Sequence, residues 1–131
     1  MQKNVDFVYS AKGKLLPITI PLPPGSDWEL GECSVRLYTT SDAGNRLLQL
    51  DDGTVQYASG AVQTASETID HLWSVGLTSA VQADNNHLMN LAAPIQIASD
   101  GSLVLEIATP VDADGDTADV YMEFKRTTIE E

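Results

Sequence analysis

From Trp28 to Arg126 the chain is a succession of short segments in which apolar and polar residues alternate, each closed by a turn signal. In WELGECSVRLYTT, Cys33, Val35 and Leu37 share one face and Ser34, Arg36 and Tyr38 the other, the two-residue period of a half-buried strand. Trp28 and Leu30 stand out of phase with that face, and Gly31 between them and Cys33 is the place for a β-bulge. Ser41 to Asn45 reads as a turn, after which Leu48 and Leu50 share a face. Asp51-Asp52-Gly53 marks a hairpin leading into TVQYASGAVQ. The segment ETIDHLWSVG sets Ile69 and Trp73 against Thr68 and Leu72, and reads as a strand or one helical turn. Pro94 to Ile97, Asp100-Gly101 and SLVLEIAT read as a second hairpin with Leu103, Leu105 and Ile107 inward. DVYMEFKR gives the cleanest strand, with Val120, Met122 and Phe124 opposite Tyr121, Glu123 and Lys125. Only HLWSVGLTSAVQADNNHLMNL lacks a clear period; a short helical turn or a long loop is expected there.

Some eight or nine short strands at intervals of roughly 8–15 residues are the spacing of an all-β domain. No window of a dozen residues carries an apolar stripe of helical period. Strands with one apolar face need a second layer, and with no helix to supply it a second sheet must. The expected fold is an all-β, antiparallel two-sheet β-sandwich. Its inward set over residues 26–128 is Val35, Leu37, Leu48, Leu50, Leu103, Leu105, Val120, Met122 and Phe124.

Length and charge narrow this picture. The 131 residues suit one domain, and 43% hydrophobic with 20% charged residues suits a globular one. Seven basic against 19 acidic residues leave a net charge of −12, which argues against nucleic acid or an anionic membrane as partner. The apolar runs are far shorter than the roughly 20 residues of a membrane span. The opening MQKNVDFVYSAKGKLLP lacks the hydrophobic stretch of a secretion signal.

Residues 1–25 differ from residues 26–131, which form the expected sandwich domain. Lys3, Lys12 and Lys14 face one acid, Asp6, a net +2 for residues 1–14 that leaves −14 for the rest. Pro17, Pro21, Pro23 and Pro24 follow closely and are unsuited to a central strand. An N-terminal arm that reaches a neighbour, or an edge strand, is expected, with the three lysines as its candidate contacts.

Candidate chemistry is sparse. Cys33 is the single cysteine, so the chain forms no internal disulfide; its strand position predicts a buried, inert thiol and folding in a reducing cytoplasm. Asp112, Asp114, Asp116 and Asp119 crowd one Gly-containing loop, but the order D-x-D-G-D departs from a calcium-binding EF-hand, and a solvated acidic loop is expected, with no metal. Asp70-His71 with Ser66 or Ser74 evokes a hydrolase triad. Yet there is no G-x-S-x-G elbow, and adjacent strand residues point to opposite faces. His71 and His87 lack a second histidine at ligand spacing and read as surface or loop residues. No phosphate-binding glycine loop occurs, and neither an enzyme nor a cofactor is expected. Gly44-Asn45 suits a turn needing positive φ, and Arg46 is placed to fork onto a carboxylate and tie that turn to an adjacent strand. Trp28 suits an apolar plug at one end of the sandwich.

Several central segments carry a resemblance. They run from Trp28 and its strand through Thr39-Thr40, Gly44-Asn45-Arg46, Leu48 and the GAVQTAS run at residues 60–66, to Pro94-Ile95 and Asp100-Gly101. Together they resemble small virion proteins of tailed bacteriophages, several of which look like jelly-roll capsid cement, or decoration, proteins. The resemblance spans roughly residues 26–125. It implies a jelly-roll-like sandwich on the capsid exterior, made in the host cytoplasm. Its partners would be the major capsid protein and sister copies, as a dimer or trimer, with Lys3, Lys12 and Lys14 as the contacts to capsid or sister subunit, and its role to bridge capsomers.

The alternative is a tail-fibre or host-recognition module that binds carbohydrate. A sugar-binding face wants several exposed aromatics, and this chain has 8, with Trp28, Trp73 and Phe124 expected in the core. That favours the cement reading, although sandwiches host many functions.

Overall fold

The structure, a computed structural model, describes residues 6–59, 62–75, 86–108 and 115–127. Among these residues ten strands follow in order: β1 (Phe7–Leu15), β2 (Ile18–Thr19), β3 (Trp28–Tyr38), β4 (Leu48–Asp51), β5 (Gln56–Ala58), β6 (Thr68–Val75), β7 (Asn86–Leu91), β8 (Ile95–Ile97), β9 (Val104–Ile107) and β10 (Thr117–Arg126). They build an all-β, two-sheet sandwich. One sheet has the order β1-β10-β3-β6-β7, with β8 also paired to β3; the other has the order β2-β9-β4-β5. The chain alternates between the sheets repeatedly, the winding that makes the sandwich jelly-roll-like.

All nine residues expected inward are buried, together with Trp28, Leu30, Cys33 and Trp73. The phase break at Gly31 is a bulge: Glu123 pairs with Glu32 but Phe124 with Leu30, so Gly31 is the extra residue and Trp28 and Leu30 turn inward with Cys33. Trp28 plugs one end of the core, against Phe7 at 5.9 Å, under the Arg126 guanidinium at 5.0 Å, and with its Nε1–H donating to the Pro23 carbonyl. The Asp51-Asp52-Gly53 hairpin joins β4 to β5. Gly53 there adopts φ 95°, and Asp52 Oδ1 accepts from the amides of Thr54 and Val55.

Three expectations are corrected. The sandwich is not wholly antiparallel: β6 and β7 run parallel, with His71 opposite His87. Asp100-Gly101 is not a hairpin turn: β8 pairs with β3 in one sheet and β9 with β2 and β4 in the other, so the chain changes layers there. The histidines are not on the surface, since His71 is 0% and His87 7% exposed. The stretch without a clear period begins in β6 and ends in β7, and residues 76–85 between them lie outside the described residues.

The N-terminal segment is built into both layers. β1 forms one edge of the larger sheet, paired along β10 from Phe7 to Leu15 with a bulge between Ala11 and Lys14. Tyr9 of β1 and Ile18 of β2 enter the core.

Candidate functional site

Among the described residues two places concentrate polar chemistry: a network between the sheets and an open trough on the outer face of the larger one.

The network begins at an isolated antiparallel bridge. Arg46 N donates to Gln63 O and Gln63 N to Arg46 O, at 2.7 and 2.8 Å, which fixes both residues between the layers. The ion pair expected of Arg46 forms with Asp116, at the mouth of β10. Nε donates to Asp116 Oδ2 at 2.9 Å, and side-chain exposures of 0% and 2% make the pair fully buried. Gly44, at φ 133°, turns its carbonyl to accept from Arg46 Nη1, and Thr40 Oγ1 accepts from Nη2. Asp116 Oδ1 also accepts from the Thr40 amide. The guanidinium and carboxylate thus satisfy one another and the turn around them, as a buried ion pair requires.

On the other side of the bridge, Gln63 Nε2 donates to the carbonyls of Leu37 and Glu67. Its Oε1 is therefore the end left to face His71 Nε2, which must carry the proton and donate at 2.8 Å. His71 Nδ1 is then an acceptor, and the hydroxyl of Ser59 donates to it. Backbone carbonyls set the Gln63 amide, Gln63 sets the imidazole tautomer, and the imidazole sets the hydroxyl. Ser59 follows β5 and His71 lies in β6, so this contact ties one sheet to the other, as does Trp73 Nε1–H donating to the Tyr57 carbonyl.

The Ser59–His71–Gln63 array has the connectivity of a catalytic triad, but its electrostatics differ. Burial first, then the neighbouring His87 at 4.9 Å between ring centroids, push the His71 pKa down to about 3 against a small opposing effect of Asp70. Such an imidazole is a poor base at neutral pH. The triad members considered from sequence do not meet. Asp70 points outward to Arg36, and Ser66 (φ 56°) sits in the turn before β6. Ser59, Gln63 and Thr40 were not legible as a group, since none has a motif and 12 residues or more of chain separate Ser59 from His71 and Thr40 from Gln63.

Of the acidic loop, Asp112 and Asp114 lie outside the described residues. Asp116 is held by Arg46, and Asp119 accepts from the Gly13 amide and the Tyr38 hydroxyl. Those two bonds, Tyr38 first, hold the Asp119 carboxyl below its ordinary range, while the same contact raises the Tyr38 phenol. Among the described residues no group of three or more side chains is arranged to hold a metal. Lys12 and Lys14 are exposed on β1, and Lys3 lies outside the described residues. Burial, then Glu32, push the Cys33 thiol well above its ordinary range.

The trough, about 510 Å³, lies across the outer face of the larger sheet. Register places its residues in two adjacent rows. One is Ser10–Tyr121–Ser34–Leu72–Leu88, and the next, two residues along, is Asp119–Arg36–Asp70, extended toward Lys12 on β1. The first row sets Tyr121 between two serines and ends in the adjacent Leu72 and Leu88. The second alternates charge: Arg36 forks onto Asp70 at 2.8 and 3.2 Å.

The chain matches no protein-family model, no curated protein and no solved structure with which it was compared.

Proposed function

We propose that the chain is a non-enzymatic structural protein of a tailed-bacteriophage virion. In this reading it is a cement subunit that binds the outer capsid surface, contacts the major capsid protein and sister copies, and bridges capsomers. The observation that carries this reading is the commitment of its reactive-looking side chains to cohesion. Arg46–Asp116, Ser59–His71–Gln63 and Trp73–Tyr57 all join the layers, and Cys33 is sealed in the core. That pattern supports a mechanical role, and the resemblance of residues 26–125 to virion proteins supplies the setting. The basic edge strand β1, with Lys12 and Lys14 exposed on a chain of net charge −12, is the candidate contact to capsid or sister subunit.

Co-sedimentation of the purified protein with heads of the parent phage tests the proposal. Attachment that weakens with salt and with the Lys12→Glu/Lys14→Glu double substitution is the expected outcome. Attachment indifferent to both removes β1 from the contact, and failure to attach to heads contradicts the cement reading. The trough, with Tyr121 39% exposed, favours one second reading, a carbohydrate-binding recognition module.

A further inference from the structure

We infer that β7 is an acid-released edge strand: protonation of the buried His71–His87 pair frees it from β6 while the rest of the sandwich stays folded. The device belongs to the folded chain itself and is independent of where the protein sits in the particle.

The two imidazoles meet because β6 and β7 run parallel, which sets His71 opposite His87 with both side chains buried between the layers. They pack edge to face with ring centroids 4.9 Å apart. Such a contact suits neutral rings, and it sets like charges against each other once both are protonated. His71 has both nitrogens committed, Nε2–H to Gln63 and Nδ1 to the Ser59 hydroxyl. His87 Nδ1 is buried with no hydrogen-bond partner among the described residues, so a proton placed there finds no acceptor. A buried charge without a partner is costly, and access to water relieves it.

Among the described residues no carboxylate is turned toward the pair to hold that charge. Asp70, next to His71 on β6, lies on the outer face in its fork with Arg36 of β3. Inward from β3 come Val35 and the Cys33 thiol, which burial keeps neutral, and from β5 the Tyr57 phenol, whose raised pKa does the same. β4 and β9 supply Leu48, Leu50 and Leu105. Beyond the Gln63 bridge, Arg46 and Asp116 neutralise each other.

Topology selects the strand that yields. β6 is paired to β3 from Glu32 to Tyr38, and Ser59 and the Tyr57 carbonyl tie it to the other sheet. β7 lies at the sheet edge with β6 as its one strand partner among the described residues. Its departure brings water to both rings and takes Met89 and Leu91 from the core, whereas β6 could leave only by breaking the sandwich. The sign follows from the lowered His71 pKa. The open form binds the proton more readily, so opening is favoured as pH falls from 6.5 toward 3. If His71 regains its ordinary value on opening, the opening constant rises by up to about thirtyfold between pH 7.5 and pH 5.

Hydrogen exchange of the ¹⁵N-labelled full chain at pH 7.5 and pH 5, corrected for intrinsic amide rates, tests this. The opening constant of the protected β7 amides should rise at least about fivefold at pH 5, and should exceed that of the β3–β10 ladder there by about tenfold or more. The opposite edge strand, β1, carries no histidine and should change by less than about twofold. His71→Gln should reduce the rise at β7 by at least half; should that variant not fold, the comparison of β7 with β1 in the parent decides alone. A β7 opening constant equal to that of the β3–β10 ladder at pH 5 overturns the inference, because acid then unfolds the sandwich as one unit. A smaller rise at β7, an equal rise at β1, or a rise that survives His71→Gln undiminished overturns it as well.

Discussion

Replacing Asp116 with alanine isolates the Arg46 guanidinium where water does not reach it. Arg46 then keeps its bonds to the Gly44 carbonyl and Thr40 Oγ1, but its charge has no counter-ion at 0% exposure, and the Thr40 amide loses its acceptor. Breaking a buried pair by removing one partner costs about 3–5 kcal/mol, because the surviving charge stays desolvated. For a chain of this size, at about 3–5 °C per kcal/mol, the melting temperature should fall by roughly 9–25 °C. Urea denaturation followed by tryptophan fluorescence reads the same loss, since Trp28 and Trp73 are both 0–1% exposed and report unfolding. The double variant Arg46→Met/Asp116→Leu removes both charges and should lose less than Asp116→Ala alone. A loss below about 1 kcal/mol for Asp116→Ala, or a double variant worse than the sum of its singles, would refute the buried pair as a tie between the layers.

Acid should weaken the fold through His71. Its folded pKa lies near 3, below the unfolded 6.5, so between these values the unfolded chain binds more protons and stability falls as pH falls. The parent should be roughly 2 kcal/mol less stable at pH 5 than at pH 7.5, and His71→Gln should lose that slope; equal denaturation midpoints for the parent would contradict the assignment. Cys33, buried with a raised pKa, should react with a thiol reagent only on unfolding, so prompt labelling of the native chain would place it wrongly. Deleting residues 1–14 removes most of β1 and with it the buried Tyr9, so the truncated chain should melt well below the parent, and an unchanged melt would make β1 dispensable. Phe124→Ala should destabilise by about 3–5 kcal/mol in urea denaturation, given its burial at 1% exposure against Phe7 at 5.7 Å; less than about 1 kcal/mol would speak against its core position.

Local features were legible in the sequence, and distant pairings were not. Period two marked β3 and β10, the phase break marked the Gly31 bulge, and Asp51-Asp52-Gly53 marked the β4–β5 hairpin, because each is set by neighbours along the chain. The segment after Asp100-Gly101 turns the expected residues inward, Leu103 and Leu105, but the turn before it is a corner between the sheets and not a hairpin. A corner between sheets and a hairpin within one use the same Asp-Gly chemistry. The parallel β6–β7 pair carries no local signature, so the burial of His71 beside His87 was invisible. Arg46 announces a fork through its position after Gly44-Asn45, yet its partner Asp116, 70 residues away, lies among carboxylates whose pattern is that of a solvated loop. Ser59 and Gln63 became meaningful only once two sheets closed over them.

Electron microscopy of the parent particle, with the chain located by its density, tests the cement proposal most directly. Two-layered sandwich density on the outer capsid lattice is the expected result, seated across capsomer boundaries with the β1 edge turned toward capsid or sister subunits. Density confined to the tail or its fibres, or a mature particle that lacks the chain, would contradict it.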